Sequence, residues 1–176
     1  MTREDLAKLF RGIGVEVGVL EGGFSDTILR AGRTRLHYMV DAWDASTSND
    51  PSYSNIDWRA AYEKAVQVAQ RHSWEGKPVA ILRLPSVMAS CLFPQNSLDY
   101  VYIDANHDYK SVRCDIDVWF PLVRPGGIIS GHDYLNKPPV YEVKRAVDES
   151  FGDLVLTTDE AEWPSWYLRK PKDYEI

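Results

Sequence analysis

Apolar and polar stretches alternate along the chain in a way that predicts a succession of strands and helices. Short apolar runs fall at Gly14–Val19, Leu36–Val40, Val79–Leu84, Tyr100–Ile103 and Gly127–Ser130. Runs of this length, closed off by turn residues, read as strands buried in a parallel sheet. Between them the period lengthens to that of a helix. Thr2–Phe10 sets Leu6, Leu9 and Phe10 on one side. Ser25 and Asp26 are N-cap residues for a helix reaching about Arg30, with Gly32 as its stop. Asp57–His72 gathers Trp58, Ala61, Tyr62, Ala65 and Ala69 on one face, and Gly76 and Pro78 end it. A helix opening at Asp108 and Tyr109 turns Val112, Ile116 and Trp119 inward, and Pro121 kinks or restarts it. Val140–Phe151 follows with Val143 and Val147 inward and Gly152 as stop. Leu154–Thr157 and Trp166–Arg169 are expected as a closing antiparallel pair. This alternation specifies a doubly wound α/β sheet with helices on both faces. No repeat or linker divides it, so residues 1–176 are expected to form one domain.

Composition narrows the partners. The chain has 176 residues, 44% of them hydrophobic, enough for one domain with a real core. A net charge of −6 and the lack of a basic run argue against a nucleic-acid backbone as partner. A neutral or cationic small molecule suits this charge better. Cys91 and Cys114 form no CxxC pair, which suits a reducing cytosol. The segment Met1–Phe10 is too polar for a signal peptide, and no apolar run approaches the ~18 residues of a membrane span. A cytoplasmic protein away from the membrane is the expectation.

In an open parallel sheet, ligands sit beyond the carboxyl ends of the strands. At those ends the chain carries residues that no apolar core would select. Asp41 follows the second strand, Asp104, Asn106 and His107 the fourth, and His132 and Asp133 the fifth. After the first strand comes a glycine turn with Gly18, Gly22 and Gly23. Glycines there allow backbone to approach a ligand, and an acid about 20 residues further on accepts bonds from a ribose diol. Asp41 stands at about that interval from Gly22. The pattern is not GxGxxG, and Glu16 sits where a pyrophosphate would be repelled. An acid suits a cation, which favours S-adenosyl-L-methionine, with its sulfonium and ammonium, over NAD. The polar loop Ala42–Asn55 is long for a bare connector and reads as a lid, and Tyr134–Pro139 is a second loop on the same rim.

The motif Glu16-Val17-Gly18 with Gly22 and Ser25, then Asp41, Asp99–His107 and Pro125–Asp133, resembles class I S-adenosylmethionine-dependent methyltransferases. More narrowly it resembles the small-molecule O-methyltransferases of the macrocin/sugar O-methyltransferase and cephalosporin-hydroxylase-like group. Catechol O-methyltransferase is a more distant relative. The resemblance spans about Gly12 to Arg169. It implies a mostly parallel, Rossmann-like sheet of seven strands with the last strand antiparallel. It also implies a cofactor held by Glu16, Gly18, Gly22, Ser25, Asp41 and Asp104, with Trp43 and Ser86 near the adenine.

For an alcohol acceptor the remaining chemical problem is the hydroxyl proton, and a divalent cation lowers its pKa. Asp104, His132 and Asp133 converge from neighbouring strand ends as metal ligands should, and their separation matches metal-dependent O-methyltransferases. Many of these carry a carboxylate where His132 stands. Imidazole ligates Mn²⁺, Fe²⁺ or Zn²⁺ better than Mg²⁺, so either the metal differs or His132 is a base or substrate contact. Asp104 is also readable as a helix cap, and His132 as a satisfied histidine beside it. Relatives place a Lys or His base where His107 stands, which makes His107 and Asp104 the catalytic candidates. Lys144, Asp115 and Asp117 read as solvated helix faces, and His37 and His72 carry no motif. The function expected is metal-assisted O-methylation of a hydroxyl on a small polar molecule such as a sugar. The acceptor pocket would come from Ala42–Asn55, Tyr134–Pro139 or another subunit of a homo-oligomer. Two other readings stay open: a metal-dependent oxygenase or hydrolase using His107, His132 and Asp133, and a nucleoside-binding module without catalysis.

Overall fold

The structure is a computed structural model that describes residues 1–48 and 50–172; Asn49 of the expected lid lies outside the described residues. Seven strands form one sheet: β1 (Arg11–Val17), β2 (Arg33–Asp41), β3 (Val79–Arg83), β4 (Leu98–Ile103), β5 (Val123–Gly131), β6 (Leu156–Thr157) and β7 (Trp166–Arg169). Their order across the sheet is β3-β2-β1-β4-β5-β7-β6. The first five pair in parallel, and β7 runs antiparallel to both β5 and β6. The closing pair is therefore antiparallel as expected, with β7 inserted against β5.

Alternation along the central strands builds two cores. On β4, Tyr100 and Tyr102 face one side and pack on Leu6, Ala7 and Phe10, while Val101 and Ile103 face the other. The Phe10 and Tyr100 rings stack 4.5 Å apart. Helices α1 (Arg3–Ala7), α2 (Gly23–Ala31) and α3 (Trp58–Trp74) cover the first face. Helices α4 (Ser86–Ser90), α5 (Tyr109–Trp119) and α6 (Val143–Phe151) cover the second, through Ala89, Val112, Ile116, Val143 and Val147. A strand buried on both faces is the setting in which continuous apolar runs are stable.

Three details depart from the sequence expectation. The N-cap of α2 is Gly22, in the left-handed region at φ 86°, not Ser25 or Asp26. Ser25 instead turns inward, fully buried, and donates to the Glu16 carboxylate. Helix α4 carries no advance signal, being one short turn after Pro85. Asp115 is not on a solvated face: it is buried on the inner side of α5, whereas Asp117 is exposed. Asp108 does cap α5, accepting from the backbone N–H groups of Lys110 and Ser111. No helix among the described residues is long and apolar enough to cross a membrane.

Candidate active site

The rim begins where β1 ends. Gly18 N–H donates to Val40 O (2.8 Å) and Asp104 N–H to Val17 O (2.7 Å), pinning the tips of β2, β1 and β4 together. Gly18 has φ +84°, and a Cβ there would overlap the Asp104 carbonyl. Only glycine fits this close approach. Asp41 then organises the two turns beside it. Its Oδ2 accepts from Val19 N–H and Leu20 N–H, each at 2.9 Å, and its Oδ1 from Trp43 N–H at 2.8 Å. Leu20 and Trp43 are both left-handed, at φ 51° and 44°. Non-glycine residues persist there only when their surroundings hold them, and the Asp41 carboxylate does so.

Beyond these tips lies a cavity of about 360 Å³. Of the residues expected around a cofactor, Gly18, Asp41, Ser86 and Asp104 line it. The others are placed differently. Glu16 and Ser25 lie buried beneath the turn with His37, whose Nδ1 meets Tyr100 Oη at 2.7 Å. Gly22 packs on Ala65 of α3. Trp43 is buried with its ring 5.0 Å from Tyr62, and its indole N–H donates to Leu20 O. The polar loop after β2 closes over the cavity, contributing Thr47, Ser48 and Tyr53. Asn106 ties it to the β4 rim by donating to Thr47 O at 2.8 Å.

Asp104 also belongs to a second feature. Donor atoms of Asp104, His107 and Asp133 lie within 4.8 Å of one another. Gly131 makes this convergence possible, since a Cβ there would press on Ile103 O and the Trp166 indole. His132 N–H donates to Ile103 O at 3.0 Å, setting the end of β5 against β4. Asp133 is left-handed at φ 54°, a conformation Asp tolerates better than most residues. His107 is buried, and its Nε2 approaches Asp133 Oδ2 at 2.9 Å and Asp104 Oδ1 at 3.9 Å. Its Nδ1 lies 3.4 Å from Asp50 Oδ2, and Tyr141 stacks on its ring at 4.8 Å. His132 Nδ1 lies 2.8 Å from Asp133 Oδ1 and 3.8 Å from Asp104 Oδ1, and its side chain is partly exposed.

Electrostatics follow from this crowding. Burial works to lower the His107 pKa, but the Asp104 and Asp133 carboxylates outweigh it and push it up to about 10. Burial likewise works to raise Asp133, and the His107 and His132 imidazoles hold it well below the usual carboxylate range. At neutral pH the cluster is thus an imidazolium between carboxylates. The His107 Nε2 atom is buried and makes no hydrogen bond despite its short contact with Asp133. Two carboxylates and an orphaned imidazole nitrogen aimed at one point are a donor set that fits a divalent cation.

Sequence reasoning missed Arg3, Asp50 and Asp115. Arg3 Nη2 reaches Asp104 Oδ2 at 2.6 Å while its guanidinium lies over Phe24, 4.0 Å from the ring centroid. Arg3 comes from a distant segment with no motif around it, and Asp50 lies in the expected lid, where nothing in the sequence singles it out. For Asp115 a signal existed: it sits one position before Ile116, on the border of the apolar face of α5.

The methyltransferase domain is the family whose sequence pattern matches residues 15–134. The chain belongs to that family. Among curated proteins it is 24% identical over 141 residues to an uncharacterized protein of Acanthamoeba polyphaga mimivirus, covering 80% of this chain. The chain spans 59% of that viral protein's length. Among solved structures it resembles a putative rRNA-methylase from Clostridium thermocellum, with a TM-score of 0.68, 12% identity, and 95% and 94% of the two chains covered. It also resembles an O-methyltransferase from Bacillus cereus in complex with SAH, with a TM-score of 0.63, 18% identity, and 96% and 79% covered. At such identities the likeness is one of fold. The fold is that of the class I S-adenosylmethionine-dependent methyltransferases; the matches do not reach the narrower macrocin and sugar O-methyltransferase group.

Proposed function

We propose that the chain transfers the methyl group of S-adenosyl-L-methionine to a hydroxyl oxygen of a small polar acceptor, such as a sugar, as one catalytic domain. The observation that carries this reading is the double membership of Asp104. It lines the cavity that also holds Gly18 and Asp41, and it is one corner of the cluster with His107 and Asp133. A nucleoside in the cavity therefore places its sulfonium beside the group that would position the acceptor. Asp41 would meet the ribose diol, and Ser86 the base. Glu16, Gly22, Ser25 and Trp43 would act from beneath, shaping the turns that face the cofactor.

Asp104 and Asp133, with an imidazole, would hold a divalent ion whose chemistry is to lower the pKa of the acceptor hydroxyl. Burial and convergence favour His107 as that imidazole. The mixed donor set suits Mn²⁺, Fe²⁺ or Zn²⁺ better than Mg²⁺. To hold such an ion His107 would have to be a neutral imidazole. His132, at the open side of the cluster, is then placed to take the hydroxyl proton. The hydroxyl oxygen attacks the methyl carbon in line, the carbon–sulfur bond breaks, and sulfur keeps the electron pair. Tyr53 and Tyr141, which flank His107, would line the acceptor side.

The test is methyl transfer from labelled S-adenosyl-L-methionine to a panel of small hydroxyl compounds, with Mn²⁺ and with excess chelator. Transfer that needs the metal supports the reading. Binding of the nucleoside without transfer across a broad panel would favour a non-catalytic module. A metal-dependent reaction without methyl transfer would revive the oxygenase or hydrolase reading.

A further inference from the structure

Arg3 is a fixed cation at the edge of the Asp104 cluster, and the chemistry above gives it no part. It opens α1, behind the reciprocal cap formed by Thr2 and Asp5. Its backbone N–H donates to Glu160 Oε1 at 2.5 Å. Its guanidinium lies 4.0 Å from the Phe24 ring centroid and 5.2 Å from that of Tyr102. Arg3 Nε is buried and makes no hydrogen bond. The guanidinium is thus lodged between rings, and its ion pair is with Asp104 Oδ2 at 2.6 Å.

The two oxygens of Asp104 are divided between partners. Oδ2 takes Arg3, while Oδ1 faces His107 Nε2 at 3.9 Å and His132 Nδ1 at 3.8 Å. A divalent cation held with His107 and Asp133 would use Oδ1 and leave the Arg3 bond standing. Asp104 would then serve two cations at once, and the guanidinium cannot give up its charge. A unit charge and a divalent ion about 6 Å apart repel enough to change affinity about tenfold, even at the dielectric of water. The side chains of Arg3 and Asp104 are only 27% and 20% exposed, so salt screens this repulsion incompletely.

We propose that Arg3 is a built-in counter-ion of Asp104 that shares this carboxylate with the divalent cation and holds the cation's affinity down, so that the ion exchanges with solution instead of staying resident. The proposal rests on the metal reading given above and adds to it the residue that sets how tightly the site closes on its ion. Arg3 acts through Asp104 and is a positioning residue. Its charge carries the effect. The hydrogen bond alone would only orient the carboxylate, and losing such a partner would weaken metal binding instead.

The experiment is titration of Mn²⁺ into the full chain at one pH and low ionic strength, with the free ion read by electron paramagnetic resonance. Arg3→Gln keeps a donor for Asp104 and removes the charge. It should bind Mn²⁺ about tenfold more tightly than wild type, or tighter still. Arg3→Lys keeps the charge and should stay within about threefold of wild type. Circular dichroism checks the fold of each variant. If Arg3→Gln does not fold, Arg3→Met, whose apolar stem can remain on Phe24, carries the same expectation. An uncharged variant that binds Mn²⁺ no more tightly than wild type overturns the proposal and leaves the metal reading standing. So does an Arg3→Lys protein as tight as Arg3→Gln, since charge would then not be the cause. If the wild type and the uncharged variants all fail to bind Mn²⁺, the metal reading itself falls, and this proposal with it.

Discussion

At the nucleoside end of the cleft, the Asp41 carboxylate accepts from three backbone N–H groups of the adjoining turns. At the chemical end, the side chains of Asp104, His107 and Asp133 face one another, tied by charge rather than by backbone. The first region is a scaffold held by hydrogen bonds between near neighbours in the sheet. The second is a set of ionisable groups from two strand ends whose protonation compensates for their crowding. Backbone-held sites are preorganised and tolerate the loss of one side chain poorly in affinity. Charge-held sites can keep their fold yet lose their ion or their proton. The two ends should therefore fail in different ways.

The largest effect is expected at the chemical end, in rate. Loss of a general base typically costs about 10²–10⁴-fold in rate, so His132→Ala should depress single-turnover methyl transfer by that order while Mn²⁺ affinity stays near wild type. His107→Ala should instead lose Mn²⁺, measured by electron paramagnetic resonance of the free ion. If the two variants exchange these behaviours, His107 is the base and His132 the ligand.

Next comes Asp133→Asn. Removing one partner of a buried ion pair costs roughly 3–5 kcal/mol, a figure discounted here because Asp104 still faces His107 from the other side. Chemical denaturation should show a clear loss of stability, and Mn²⁺ binding should disappear, while S-adenosylhomocysteine affinity changes little. A parallel loss of nucleoside affinity would contradict the separation of the two ends.

At the nucleoside end, Asp41→Ala removes the acceptor of three backbone N–H groups and the proposed contact to the diol. Hydrogen bonds to charged groups are worth about 1.5–3 kcal/mol, so S-adenosylhomocysteine affinity should fall about 10- to 150-fold, with Mn²⁺ binding retained.

The last effect, on stability alone, is a pH dependence. Asp115 has its folded pKa raised from 3.8 to about 6. The folded state therefore holds this proton more tightly than the unfolded chain does. The stability this gives is fully present below the unfolded value and is lost as pH rises through about 6. A shift of this size is on the order of 2–3 kcal/mol. Relative to wild type, Asp115→Asn should gain stability between pH 4 and pH 7, read by denaturant midpoints. An equal offset at both pH values would mean that Asp115 is not held protonated by burial.

The contrast between the two ends also explains what could be read in the sequence. The strand ends carrying Asp41, Asp104, His132 and Asp133 announced themselves because polar residues interrupt apolar runs, and the sheet brings every such end to one rim. Gly18 was legible for the same local reason, and its close approach to the Asp104 carbonyl gives the physical cause. Arg3 and Asp50 were not legible, because their contacts with Asp104 and His107 depend on how a helix and a loop far along the chain settle. Asp115 was read as solvated together with Asp117, although two residues along a helix turn a side chain by about 200°. Trp43 and Glu16 show the converse. Both stand in the expected motif, yet their side chains turn into the protein, toward Tyr62 and Ser25. Motif position fixes the backbone, and packing decides where a side chain points.

Calorimetric titration of S-adenosylhomocysteine in excess chelator, into wild type and Asp104→Ala, tests most directly whether Asp104 joins the two ends. The wild type should bind without metal, and Asp104→Ala should bind at least about tenfold more weakly while also losing Mn²⁺, as expected for a lost charged contact. Wild-type affinity in Asp104→Ala, or no binding by the wild type, would contradict it.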